Sequence, residues 1–149
     1  MFSVSITPRV GETDAMGHIN NCVAPIWFEQ GRTPLFRIFD PNLDFNHETW
    51  HLVMVHAEYD YVEQIYCRSV VEIKTWVSHI GKKSFSLKHE AWQEGRLCIK
   101  CGVVFVYYNF ITQKTEPIPD NIRSRLEQHL ITINKEQLTR KREKVKRNR

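Results

Sequence analysis

The run from Leu97 to Phe110 most constrains what this chain can fold into. It reads as a strand, and from Val103 to Tyr108 it is apolar on both alternations. Strand side chains alternate between faces with period 2. A strand apolar on both faces is central and covered on both sides. Three more strand candidates precede it. Leu52 to Gln64 places Val53, Val55, Ala57, Tyr59 and Tyr61 on one alternation. Val70 to His79 sets Val71, Ile73, Thr75 and Val77 against Glu72, Lys74, Trp76 and Ser78. Ser84 to Trp92 follows the turn Gly81-Lys82-Lys83, and Glu94-Gly95 makes the next hairpin turn. Phe2 to Val10 alternates Phe2, Val4 and Ile6 with Ser3, Ser5 and Thr7, and Pro8 marks a strand end or an edge.

Between the first strand and the rest lies a helix-like segment, Asn21 to Phe39. Val23, Ile26, Trp27, Leu35, Ile38 and Phe39 fall near helical spacing. Pro25 sits in the first turn, where a missing N–H matters least. Pro34 is interior, where proline removes a hydrogen bond and crowds the preceding turn. The expectation is a kink or restart there, with Thr33 capping a second piece. Strand, long helix, then a run of hairpins gives an α+β domain. One helix covers only one face of such a sheet, so the other needs a second sheet or a second subunit. Asp120 is placed to cap a final helix through Ile122, Leu126 and Leu130, continuing toward Ile133 and Leu138. A chain of 149 residues suits one domain, residues 1–131, followed by a basic extension, residues 132–149.

Charge separates these parts. Thr139 to Arg149 holds seven Lys or Arg and one Glu, a net +6, which leaves −2 for the remainder of a chain whose total is +4. The body therefore lacks the footprint of a nucleic-acid binder. The tail either is a solvated end or touches an acidic partner, RNA or a membrane surface. No run of about 18 apolar residues is present, so no membrane span is expected. No basic start leads into an apolar stretch, so a signal peptide is not expected and the default location is cytoplasmic. Cys98 and Cys101 have C-x-x-C spacing, but three residues along a strand put them on opposite faces. Cys22, Cys67, Cys98 and Cys101 are read as reduced, and no metal site is expected.

The chemistry concentrates in Thr13-Asp14-Ala15-Met16-Gly17-His18-Ile19-Asn20-Asn21. Asn20 and Asn21 are good N-cap residues for the helix that follows. Free N–H groups at a helix start favour an anion or a developing oxyanion. A carboxylate such as Asp14 facing that site is the minimum apparatus for hydrolysing an acyl compound. Asp14 has a second reading, as a side chain bracing its own turn.

The run D-x-x-G-H-I-N-N, with Trp27-Phe28-Glu29 and Gly31-Arg32 behind it, resembles the 4-hydroxybenzoyl-CoA thioesterase family, and within it the fatty acyl-CoA branch. The similarity runs from about Phe2 to Asp120. It implies a hot-dog fold, an antiparallel sheet of five to six strands wrapped around a long central helix, assembled as a homodimer or homotetramer. It implies an acyl-CoA substrate, hydrolysed to free acid and coenzyme A with no cofactor, coenzyme A being part of the substrate. Asp14 matches the catalytic carboxylate, as general base or as nucleophile. Asn21 matches the helix-start amide that polarises the carbonyl. His18 either acts in catalysis, positioning substrate or water or sharing proton traffic, or is a loop histidine bonded to backbone. Gly17 supplies a backbone angle or close approach beside the substrate, and Asn20 braces the loop or caps the helix. Lys82, Lys83 and Ser84 match the turn that meets coenzyme A phosphates. Glu29 is secondary, either assisting Asp14 or pairing with Arg32. The stretch Tyr61-Val62-Glu63-Gln64 departs from the family, many members of which carry a proline nearby. The alternatives are a thioesterase acting on acyl carrier protein and a non-catalytic acyl-CoA-binding or interaction module.

Overall fold

The computed structural model describes residues 1–132. Its elements are β1 (Phe2–Ile6), a 3-10 turn (Val10–Glu12), α1 (Ala24–Phe39), β2 (Leu52–Tyr61), β3 (Val71–Ile80), β4 (Ser84–Gln93), β5 (Arg96–Asn109), β6 (Lys114–Thr115) and α2 (Asp120–Glu127). The six strands form one antiparallel sheet in the order β1-β3-β4-β5-β2, with β6 paired to the end of β5. The sheet wraps one face around α1, which is the hot-dog arrangement.

Burial explains this architecture. Along α1 the buried residues are Ala24, Trp27, Phe28, Gly31, Arg32, Leu35, Ile38 and Phe39. Their three- and four-residue spacing makes one helix stripe. It faces the concave side of the sheet: Val71, Ile73 and Val77 of β3, Phe85 and Leu87 of β4, and Val103 and Phe105 of β5. Fully burying one such aliphatic or aromatic side chain contributes roughly 1.5–3 kcal/mol. That is why the helix does not restart at Pro34, contrary to one of the two expectations. It costs about 3 kcal/mol by leaving a carbonyl unpaired and crowding a turn. Leu35, Ile38 and Phe39 beyond it are buried and hold α1 continuous through Phe39. Thr33 consequently caps nothing. At Gly31 the helix lies so close to β3 that an added Cβ would stand 2.6 Å from Ile73 Cγ2.

A second correction concerns β2. Its register against β5 slips between Met54 and His56, so Val55 is an extra residue. A bulge swaps the faces of everything beyond it. Leu52 and Met54 therefore share the concave side with Ala57, Tyr59 and Tyr61, and the single alternation read from Val53 to Tyr61 is broken. The final helix differs too. Pro119, not Asp120, occupies its N-cap position, and the helix ends at Glu127. His129 to Ile131 then lie beside β3, with Val77 N–H donating to His129 O and Ile131 N–H to Val77 O. Ile133, Leu138 and the basic run fall outside the described residues.

β2 is one edge strand of the sheet, and β1 is the other. Val55 is 59% exposed and Tyr61 50%. Helix α1 packs on β1 and β3, and a seam remains open between α1 and β2. Two clefts lie along it, one at each end.

Candidate active site

The polar loop is held to the fold at three points. Ile19 N–H donates to Ile65 O at 2.8 Å, and Asn20 N–H donates to Glu12 O at 2.9 Å. Trp27 Nε1 of α1 donates to Glu12 Oε2 at 3.0 Å. Burial pushes Glu12 up, but hydrogen bonds from Arg9 and Trp27 outweigh it and hold the carboxyl below its usual range. The loop is thus anchored to the start of α1 and to the segment after β2.

Within it, residues 14–18 close a tight turn. Asp14 N–H donates to His18 O at 2.7 Å, and Gly17 N–H to Asp14 O at 3.1 Å. Gly17 has φ +78°, a conformation glycine adopts without steric cost. Asp14 Oδ1 accepts from Met16 N–H at 2.8 Å and His18 N–H at 3.1 Å. One carboxylate oxygen therefore braces the turn. Oδ2 has no partner among the described residues and is left for chemistry.

The entry to α1 is built differently from the expectation. Asn20 Oδ1 accepts from Cys22 N–H at 2.9 Å, and Asn20 O accepts from Val23 N–H at 2.9 Å. Asn20 thus braces a turn that feeds the helix, while the formal N-cap is Val23, which has no side-chain cap. Asn21 sits at the outer corner of that turn. Its O accepts from Tyr61 Oη at 2.7 Å. Its N–H has no acceptor among the described residues and lies next to the positive end of α1.

Asp14, Asn20 and Asn21 line one cleft of about 400 Å³, closed opposite by Tyr61, Val62, Glu63, Gln64 and Ile65. A carboxylate and a free amide two residues ahead of the helix N-cap, on one cleft, can activate a nucleophile and stabilise an oxyanion. The segment after β2, noted in the sequence only as a departure, is the opposing wall. Tyr61 carried a readable signal, a large polar aromatic at the end of an inward alternation. The bulge at Val55 hid which way it faced.

The remaining candidates lie elsewhere. The His18 ring turns to Tyr66, edge-on at 5.2 Å between centroids, and is not among the groups lining the cleft. Glu29 is exposed and lines the other cleft along the seam, and no salt bridge joins it to Arg32, which turns inward to His89. Lys82 and Lys83 are exposed at the β3–β4 turn, with their carbonyls held by Ile118 N–H and Tyr107 N–H. Ser84 opens β4. Asp14 lies by the opposite end of β3, since the Ile6 end of β1 pairs with Val71. Ten residues of β3 at about 3.3 Å each put roughly 30 Å between these ends. One chain does not bring Lys82, Lys83 and Ser84 to Asp14.

The four cysteines are free thiols. Cys98 and Cys101 are both buried, at 0% and 2% exposure. Burial pushes the Cys101 thiol up to about 11. No described helix is long and apolar enough to cross a membrane.

Comparison with known proteins agrees with this fold. The chain is similar over 89% of its length, at 43% identity and TM-score 0.85, to 98% of the chain of a predicted thioesterase from Bacillus stearothermophilus. A thioesterase from Thermus thermophilus, solved with coenzyme A and Zn, is 26% identical, with TM-score 0.74 and coverage of 84% of this chain and 96% of that one. The uncharacterized protein YsmA of Bacillus subtilis (strain 168) is 28% identical over 106 residues, 70% of this chain and 71% of that protein. The family model of the thioesterase-like superfamily matches residues 8–126, and the chain belongs to that superfamily.

Proposed function

We propose that this protein hydrolyses acyl-CoA thioesters to a free acid and coenzyme A, in the manner of the 4-hydroxybenzoyl-CoA thioesterase family. The observation that carries the reading is the free Asp14 Oδ2 sharing a cleft with the free Asn21 N–H. The thioester carbonyl oxygen takes the Asn21 amide and the field of the α1 N-terminus. Asp14 either deprotonates the attacking water or attacks the carbonyl carbon itself. In both routes the negative charge moves onto the carbonyl oxygen and the thiolate of coenzyme A leaves; on the second, water then hydrolyses the acyl anhydride left on Asp14, freeing the acid and the carboxylate. The Thermus thermophilus relative solved with coenzyme A supports that carrier.

The active unit in this reading is a two-fold dimer formed along β2. A ten-residue edge strand with one unpaired side is a ready template for a second copy. Antiparallel pairing of β2 with its twin reverses the direction of the second sheet. That brings Lys82, Lys83 and Ser84 of one subunit to the same end as Asp14 of the other. Their separation within one chain then becomes a consequence of sharing the site. The lysines meet coenzyme A phosphates as point charges.

A thiol-release assay over acyl-CoAs of increasing chain length tests the function. Release of coenzyme A thiol by the wild-type protein, with kcat/KM varying with the acyl group, is the expected result. No release from any acyl-CoA tested, with intact binding of coenzyme A, assigns the chain to a binding module instead.

A further inference from the structure

The second cleft, about 690 Å³ at the Leu52 end of the α1–β2 seam, has an apolar lining that includes Phe36, Trp50, Met54 and Phe105. Into this lining projects Arg32, only 3% exposed. It occupies the middle of the buried stripe of α1, where every other long side chain is apolar. Its contacts do not satisfy it. Nη1 reaches His89 Nε2 at 3.4 Å, Nε has no hydrogen-bond partner, and the guanidinium carbon lies 5.7 Å from the centre of the Phe105 ring. No carboxylate among the described residues stands within ion-pair distance. Glu29 at the rim is exposed and does not reach it.

His89 cannot supply the missing charge. Arginine only donates, so the facing Nε2 must accept. The His89 proton then resides on Nδ1 and goes to Thr75 Oγ1 at 2.8 Å, and Thr75 points on to Gly31 O at 3.4 Å. This neutral relay orients the guanidinium toward the cleft and leaves its charge uncompensated. An unpaired buried cation is costly, and hydrophobic replacement at such sites is often stabilising. A cation held at that cost calls for a counter-ion from outside the described residues.

We infer that Arg32 is the anion anchor of an acyl pocket, and that the preferred substrates are thioesters whose acyl group ends in a carboxylate. This rests on the thioester reading above. A planar guanidinium with free donors matches a carboxylate in bidentate geometry, whereas a methyl-terminated chain leaves it unpaired. The length fits. Eight helix residues from Ala24 to Arg32 span about 12 Å. An eight-carbon diacid, advancing about 1.2 Å per bond when extended, covers that distance together with one hydrogen bond.

The test compares suberyl-CoA with octanoyl-CoA, equal in length and different only at the far end, on wild type and on Arg32→Met and Arg32→Lys. Wild type should favour suberyl-CoA in kcat/KM by at least about tenfold. Arg32→Met should lower the suberyl-to-octanoyl ratio by about 10²–10³-fold, and Arg32→Lys by less. The Arg32→Met protein should melt about 4 °C or more above wild type, because the unpaired charge is gone. A wild type that prefers octanoyl-CoA, or an unchanged ratio in Arg32→Met, overturns the inference. Dissociation of an assembled wild type on Arg32→Met substitution also overturns it, since the counter-ion would then belong to a second copy. Free suberate, followed by tryptophan fluorescence, separates this idea from the thioesterase reading. Suberate binding that requires Arg32 in a protein that hydrolyses no thioester leaves the anchor standing and removes the hydrolase. Octanoyl-CoA hydrolysis with no suberate binding removes the anchor alone.

Discussion

Acidification should loosen this fold chiefly through His89. Its ring is 1% exposed, packed 5.4 Å from the Phe28 ring and facing Arg32. Burial first, and the Arg32 charge second, push it down from 6.5 to about 3. The folded state therefore refuses a proton that the unfolded chain accepts between pH 6.5 and about 3. Where the unfolded state binds more protons, stability falls as pH falls. Each pH unit inside the window costs about 1.4 kcal/mol, so moving from pH 6.5 to 5 costs about 2 kcal/mol. That is a large share of a domain's usual 5–15 kcal/mol. Urea denaturation at pH 7.5 and pH 5.0 measures it. His89→Gln is the control: its amide oxygen accepts from Arg32, its amide N–H donates to Thr75, and it does not titrate. Wild type should lose about 2 kcal/mol more than His89→Gln over this interval. Other titrating groups, including His129, are common to both proteins and cancel. Equal losses would show that His89 takes up its proton in the folded state, and would refute the neutral relay beside Arg32.

Other consequences are checked as readily. Gly31→Ala drives a Cβ to 2.6 Å from Ile73 Cγ2, so overpacking of roughly 1–3 kcal/mol should exceed the helix-propensity gain of about 1 kcal/mol. Urea midpoints should show net destabilisation, and Ile73→Ala in the same chain should cost less than additively. Lys82→Glu combined with Lys83→Glu should raise KM for acyl-CoA with little change in kcat, because contacts far from the reacting bond bind ground and transition states alike. An unchanged KM would remove both lysines from the site. Mixing Asp14→Asn chains with chains carrying the two lysine changes should restore partial activity in mixed dimers, and an active monomer in sedimentation would end the shared-site idea.

The strands were readable because period 2 survives in β1 and β4 and along most of β3 and β5, whose extra residues, Ser78 and Cys98, fall near strand ends. Strand β2 was readable in extent but not in facing, since one extra residue at Val55 leaves composition unchanged while reversing every side chain beyond it. Local rules also misjudged Pro34. Burial of the turn beyond it is a tertiary term that the sequence does not display. The Asp14–Asn21 loop stood out because its polar residues crowd into a short stretch before a helix. Arg32 carries a signal in its position: it falls on the buried stripe by spacing, and an ionic residue there needs a reason. Of the opposing wall only Tyr61 has a signal of its own; Val62 to Ile65 have none, because their role depends on how the loop folds back onto Ile65.

The central claim is that Asp14 acts on a thioester bound against the start of α1. Thiol release by purified wild type and Asp14→Asn, on the acyl-CoA that wild type hydrolyses fastest, tests it most directly. The substitution keeps the shape and the Oδ1 brace while removing the base or nucleophile. The account predicts that urea stability changes little while activity falls by about 10²–10⁴-fold or more. An Asp14→Asn protein that keeps more than about a tenth of wild-type activity would contradict it.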